Sequence, residues 1–396
     1  MLEQPDVLTR PNEVDMVDLF AGPGGLDVAA RWLGLKVYGL EWDADACMTR
    51  RAAGFNHRVH DVRDFGPASV PGASILAGGP PCQTFTVAGS GAGRRALKTV
   101  LGFVERMGAG EYDLRSELDR LDDDRTGLVL EPLRWALEAG SADSPYRTIV
   151  LEQVPAVLPV WKAMGEVLKK RLGYRVAHNV LHTEMFGVPQ TRRRAVLIAS
   201  LDIDPRMPEP THRIYRKAGL RPHDDHRLPV WKTMGQALPA RDDDFEVISN
   251  YGTGGNPKLR GVRTSGQPSA TVTGKISRNR VVSANGESRF SDAEAGRLQS
   301  FPGDYPWSGG AVAQQIGNAV PPIFGLHVLS AALGLRVTRE QAEDVFELSW
   351  ASVRQRDVLG EPAVLAEVRA AGPHACQKQP PQVETTQKPT GLVAAR

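Results

Sequence analysis

Residues 14–25 read VDMVDLFAGPGG, and this stretch sets the pattern for the first half of the chain. A short, partly apolar run over 14–20 reads as a strand. It stops at the turn Ala21-Gly22-Pro23-Gly24-Gly25, and a helix-like stretch follows to Leu33. The alternation then repeats. Residues 36–40 (KVYGL) read as a second strand closed by Glu41, with a helix over 43–53. Residues 74–77 read as a strand running into Gly78-Gly79-Pro80-Pro81-Cys82, and 148–151 as a buried strand ending at Glu152. Helices are expected over 128–139 and 160–172, and further strands over 175–181 and 195–199. Strand–helix alternation of this kind predicts an α/β fold built on a doubly wound, mainly parallel sheet.

Outward from that core the texture changes. Residues 90–124 form a glycine- and charge-rich insert whose first half has the spacing of a short amphipathic helix. From 201 to about 262 periodic apolar runs give way to Pro, His, Asp and Arg, which marks a small, irregular second domain. Order returns with a helix over 292–299 and a last helix over 322–333, and residues 351–396 drift into a disordered tail. With 48 Lys+Arg against 46 Asp+Glu the formal charge is only +2 over 396 residues, but it is unevenly spread. Residues 187–290 hold 18 basic and 10 acidic side chains, net +8, and leave −6 for the remainder. Such a segment is either a polyanion-facing surface or a solvated loop region with a chance excess. Three scattered cysteines offer neither a disulfide framework nor paired metal-ligand spacing, so no metal is expected and a reducing cytoplasm fits. No apolar run is long enough to span a membrane, and residues 1–15 lack the pattern of a signal peptide.

Five clusters carry chemistry. A glycine-rich turn after the first strand lets backbone amides approach a ligand, although such turns also serve plain packing. Here the spacing is not G-x-G-x-x-G. Glu41 stands where a carboxylate holds a ribose hydroxyl, and Asp61 is placed to accept from an adenine amino group; either acid also reads as a helix cap. Cys82 follows two prolines at the same sheet edge. A lone cysteine is commonly a small buried hydrophobe, and as a nucleophile it needs nearby positive charge, which Arg192, Arg193 and Arg194 offer. Glu152 ends a buried strand, where an unpartnered carboxylate is costly and a partly desolvated one suits general acid work. Residues 314–322 (QQIGNAVPP) form a Gly-Asn turn before a helix.

Taken in order, these clusters resemble one family, the DNA (cytosine-5)-methyltransferases. The Phe20–Gly25 turn resembles their first motif and Pro81-Cys82-Gln83 their catalytic one. Glu152-Gln153-Val154 stands where they carry Glu-Asn-Val, and Gln190-Thr191-Arg192-Arg193-Arg194 matches their Gln-x-Arg-x-Arg. Residues 297–302 (RLQSFP) and 315–320 (QIGNAV) match their last two motifs, so the resemblance runs from about 14 to 335. It implies a Rossmann-like, S-adenosylmethionine-dependent sheet over 14–200 plus 310–345. The small target-recognition domain would then occupy 201–309, its variable part about 201–262. Phe20, Gly22, Gly24, Gly25, Leu26, Glu41, Trp42, Asp61, Val62, Gly79, Pro81 and Asn318 would hold S-adenosylmethionine. Within that set Glu41 would take the ribose, Trp42 would lie against adenine, and Asp61 would accept from its amino group. Cys82 would be the nucleophile, Glu152 the group on cytosine N3, and Arg192 and Arg194 the arginines at the base, Arg194 on its carbonyl. The implied partner is double-stranded DNA, met by a cytoplasmic, nucleoid-associated monomer, with room for a cognate restriction endonuclease.

Two departures stand out: Gln153 replaces the usual Asn, and the insert after Cys82 is longer than in compact bacterial members. Three rivals are a tRNA cytosine methyltransferase, a catalytically silent DNA-binding relative, and a nicotinamide oxidoreductase. The basic segment disfavours the first, intact Cys82, Glu152 and Arg194 the second, and the glycine spacing the third.

Overall fold

The fold is set by strands buried on both faces. β1 (Met16–Leu19), β4 (Ile75–Gly78) and β5 (Thr148–Gln153) have every residue buried, as strands covered by helices on both sides must. Side chains of these strands and of the neighbouring 193–200 strand alternate between two separate cores. Met16, Ile75, Ala77, Val150, Val196 and Ile198 enter one, while Val17, Leu76, Ile149, Leu151, Leu197 and Ala199 enter the other. The structure, a computed structural model, describes residues 14–81, 85, 97–111, 114–121, 123–217, 219, 225–241, 244–250 and 261–355.

The strands β2 (Val37–Glu41), β3 (His57–Val59), β6 (Arg175–His182) and β7 (Arg193–Ser200) complete a seven-stranded sheet of order β3-β2-β1-β4-β5-β7-β6. The first five strands in that order run parallel, and β7 runs antiparallel to both β5 and β6. This reversal matters for the site. Because β7 starts where β5 and β6 end, Ala195 pairs with Gln153, Val196 with Glu152 and Arg194 with Leu181. An arginine run just inside β7 is thereby delivered to the carboxyl edge of the parallel strands, where α/β sheets bind ligands.

Helix Gly25–Trp32 packs on helix Pro322–Ala332 over one face. Helix Leu97–Ala109, the amphipathic first half of the insert, packs on helix Leu158–Leu172 over the other. Beyond residue 240 lies a second sheet, β8 (Phe245–Ile248), β9 (Val262–Thr264), β10 (Arg280–Ser283) and β11 (Gly286–Ser288), antiparallel, in the order β11-β10-β8-β9; β8 falls inside the 201–262 stretch read as irregular. Residues 201–233 hold neither helix nor strand among those described.

The carboxyl-terminal expectation needs correction. Helix Pro322–Ala332 is followed by two more, Arg339–Glu347 and Trp350–Gln355, so ordered chain reaches into the stretch assigned to the tail. The first is started by a capping box between Thr338 and Gln341, and Val345 and Phe346 are buried. The second buries Trp350 and Val353, with the Trp350 ring meeting Phe55 at a tilt and Tyr305 edge-on. Residues 356–396 lie outside the described residues. Among the described residues no helix is long and apolar enough to cross a membrane.

Candidate active site

The turn after β1 is tight. Phe20, Gly22 and Gly24 all have positive φ, at 62°, 54° and 103°. Glycine tolerates this region freely, whereas Phe20 does not and is held there by its surroundings. Beneath the turn lies a buried ion pair: Arg50 donates to both Asp27 oxygens at 2.6 and 2.9 Å. The same guanidinium reaches the carbonyls of Ala21 and Gly22 at 3.4 Å. It fits only because residue 39 is glycine, since a Cβ there would sit 2.0 Å from Arg50 Nη2. Tyr305 closes the other side, its hydroxyl donating to the Pro23 carbonyl at 2.5 Å. Burial, then the neighbouring Asp27 charge, pushes the Asp18 carboxyl well above the usual range, against the pull of Arg50. Sequence reasoning missed Asp18, Asp27, Arg50 and Tyr305. The available signal was Asp27, a charge inside a helix whose neighbours are all buried.

Glu41 lies over this turn. Its carboxylate accepts from Gly22 N at 2.7 Å and from Trp42 N and Asp43 N at 2.8 Å. Burial raises its pKa, and these backbone donors pull the other way. Trp42, next in sequence, is 67% exposed, an unusual state for an indole. β3 pairs Val59 with Glu41, so Asp61 follows from the adjoining strand end. Burial acts to raise the Asp61 carboxyl, but hydrogen bonds from Arg63 outweigh it and hold it below its usual value. The ribose-type acid, the exposed indole and the second acid therefore lie along the ends of two paired strands.

A second group of expected residues lies at the ends of β4 and β5. Gly79 N donates to the Leu19 carbonyl at 3.3 Å, which ties β4 to β1. A Cβ on Gly79 would sit 3.8 Å from Glu152 Oε2, so that strand end lies alongside the carboxylate. Glu152 is ion-paired with Arg194, and each side chain is only 9% exposed. Gln153, where the family carries Asn, has a longer side chain by one methylene. Its Nε2 donates to the Pro80 carbonyl and its Oε1 accepts from Val154 N, so the longer amide still fixes the Pro80-Pro81 turn. Cys82 and Gln83 follow Pro81 and lie outside the described residues. Cys47 is no substitute nucleophile: it is buried, and burial together with the Glu41 charge pushes its thiol up to about 11.

The remaining expected residues have other surroundings. Arg192 is buried, and its guanidinium donates to the carbonyls of Val272 and Gly317 at 2.9 Å and of Ala319 at 3.4 Å. It ties the start of β7 to the 315–320 motif. Gln190 and Gln299 extend that joint: Gln190 Nε2 donates to Gln299 Oε1, and Gln299 Nε2 to the Ile316 carbonyl at 2.5 Å. The Leu26 side chain packs into the core near Gly325, and Val62 is buried, so both can meet a ligand only through backbone. Gly25 backs onto the same motif, where a Cβ would meet the Val320 carbonyl oxygen at 2.1 Å. Asn318 is exposed and accepts from Gln314 at 2.9 Å.

The basic segment divides likewise. Arg213 donates to the carbonyls of Leu228 and His226, and Arg263 stacks on Tyr215 and bonds the Pro268 carbonyl, so both hold the fold. Arg193, Arg206, Lys217, Lys275 and Arg278 are exposed, and Arg221 lies outside the described residues.

Comparison with known proteins agrees with this arrangement. A family profile described as C-5 cytosine-specific DNA methylase matches residues 14–103 and 149–218. Type II methyltransferase M.NgoFVII of Neisseria gonorrhoeae is 28% identical over 347 residues, covering 78% of this chain and 84% of that protein. Type II methyltransferase M.HaeII of Haemophilus aegyptius is 26% identical over 319 residues, covering 78% and 89%. In three dimensions the S. pombe Dnmt2 methyltransferase superposes with a TM-score of 0.55 at 13% identity, over 81% of this chain and 98% of that one, which supports the fold alone. Motifs, fold and profile point the same way: the chain is similar to C-5 cytosine-specific DNA methylases over residues 14–103 and 149–218, and to Type II methyltransferases over most of its length.

Proposed function

We propose that the chain is a DNA (cytosine-5)-methyltransferase that moves a methyl group from S-adenosylmethionine to C5 of a cytosine flipped out of duplex DNA. One observation carries the reading: the buried Glu152–Arg194 pair lies beside Gly79, at the root of the turn that leads into Cys82. The Type II designation of the relatives supports a place beside a restriction endonuclease. Residues 201–309, with their exposed cations, suit the role of a target-recognition domain, and the sheet over 14–200 with 310–345 that of the catalytic domain.

The residues fit the cofactor. The positive-φ turn at Gly22 leaves open space where a Cβ would be, the Glu41 carboxylate is held in place by three amides, and Trp42 offers a bare indole face. Glu41 would hold the ribose, Trp42 and Asp61 the adenine, and the turn with Gly79, Pro81 and Asn318 the remainder. When bound, S-adenosylmethionine supplies an electrophilic methyl on a sulfonium.

Cytosine C5 is a poor nucleophile until C6 carries an electron-rich substituent. The Cys82 thiolate would form a bond to C6, with its electron pair, while Glu152 holds a proton at N3. The ring then becomes an enamine whose electron pair lies on C5. Arg194 would contact the base carbonyl and keep Glu152 oriented. After C5 is methylated, loss of its proton to a base expels Cys82 and restores the aromatic ring. A free thiol of pKa about 8.5 is only a few per cent ionised at neutral pH, so cationic surroundings favour the reactive form. Flipping costs a few kcal/mol, met by phosphate and base contacts from the basic segment.

Incubation with methyl-labelled S-adenosylmethionine and, separately, duplex DNA and tRNA tests this. Label in DNA cytosine C5 is expected; label in tRNA alone, or in neither, contradicts it.

A further inference from the structure

The segment that follows β3 is gripped from three sides. Arg63 donates its backbone N–H to Asp61 Oδ1 at 2.9 Å, its Nε to both carboxylate oxygens at 3.0 Å, and its Nη2 to Oδ2 at 2.6 Å. Both side chains are largely buried. Arg63 Nη1 in turn lies 3.5 Å from Asp119 in the insert. Arg115, on the insert helix Arg115–Leu118, bonds Asp64 at 3.0 Å and reaches the Arg63 carbonyl at 3.5 Å. From the opposite side Arg134 donates to the carbonyls of Val62 at 3.1 Å and Phe65 at 2.7 Å. A cavity of about 100 Å³ remains between the insert and this segment, lined by Met107, Leu114, Leu118 and Leu130.

A carboxylate offers about four acceptor positions. Arg63 occupies both oxygens in a planar, bidentate manner, so the carboxylate plane and the lone pair left on Oδ2 point in one fixed direction. We infer that Arg63 is a positioning residue for the cofactor: it aims Asp61 at the exocyclic amino group of adenine, with the insert, through Asp119 and Arg115, as its backing. The long insert after Cys82 thus contributes to nucleobase recognition. The inference rests on the role given above to Asp61.

The measurement is the preference of the full-length protein for S-adenosylhomocysteine over S-inosylhomocysteine, which lacks the amino group, by calorimetric titration. Arg63→Ala should lower that preference about tenfold, the scale of a charge-assisted hydrogen bond, while binding of the inosyl ligand stays within twofold. Arg63→Lys should restore only part of it, and Asp119→Lys, which repels Arg63, should lower it a few-fold. A parent without preference, or an Asp61→Ala variant that keeps it, defeats the role of Asp61 itself. If Asp61→Ala loses the preference and Arg63→Ala keeps it, the inference is overturned. It is equally overturned if Arg63→Ala weakens both ligands alike, because that marks a merely structural arginine. An unchanged preference in Asp119→Lys removes the insert from it.

Discussion

Glu152 and Arg192 stand on neighbouring strand ends, both buried, and each is held by different partners. Glu152 meets Arg194 beside Gly79, whereas Arg192 spends its donors on the carbonyls of Val272, Gly317 and Ala319. Two substitutions separate those roles. Glu152→Gln should lower methyl transfer by roughly two to four orders of magnitude, as expected for a lost proton partner, with DNA binding much less affected. A fall of less than tenfold in single-turnover rate would make Glu152 structural. Arg192→Met should instead lower unfolding stability by about 1–3 kcal/mol, because it strands buried carbonyls, and a denaturation midpoint equal to the parent's would contradict that. The sequence marked both arginines equally. Alternation put them on one face, but only the fold shows that one points at the acid and the other at a joint more than a hundred residues away.

At the scale of elements, the strand order explains what was readable and what was not. β1, β2, β4 and β5 announce themselves as short, largely apolar runs; the turn glycines stand at the ends of β1 and β4, and Glu41 and Glu152 at the ends of β2 and β5. The support beneath the turn was hidden, because Asp27 and Arg50 are 23 residues apart and meet only through the Gly39 gap. The last two helices were missed because composition fades there, although Thr338 and Gln341 carry a start signal. Gly25 lies hard against the Val320 carbonyl, whose oxygen a Cβ at that position would approach to 2.1 Å. Gly25→Ala must push helix Gly25–Trp32 away from the 315–320 motif. It should cost about 1–3 kcal/mol of stability and weaken cofactor binding as well, read by denaturation and titration together. Full affinity in that variant would detach the turn from this motif.

Across the whole molecule, charge and buried histidine set the response to solution conditions. Burial, with the nearby Arg339 charge, pushes His212 down to about 4, and burial, with His212 nearby, does the same to His327, against an ordinary value near 6.5. Between those values the unfolded chain binds more protons than the folded one. Stability is therefore complete above about pH 6.5 and falls as the pH is lowered toward 4. A His327→Leu variant should show a shallower fall in Tm over that range; an identical slope would place the acid sensitivity elsewhere. The exposed cations Arg193 and Lys275 face solvent, unlike Arg213, which bonds its own loop. Neutralising both should reduce the log–log salt slope of DNA binding by about 0.9 each without changing cofactor affinity, and an unaltered slope would make them bystanders. The covalent step is tested most directly with duplex DNA carrying 5-fluorocytosine, in which fluorine cannot leave C5 as a proton does. With S-adenosylmethionine present the parent protein should form a complex that survives denaturant, and Cys82→Ser should form none. A stable adduct in the serine variant, or none in an active parent, would contradict attack by Cys82.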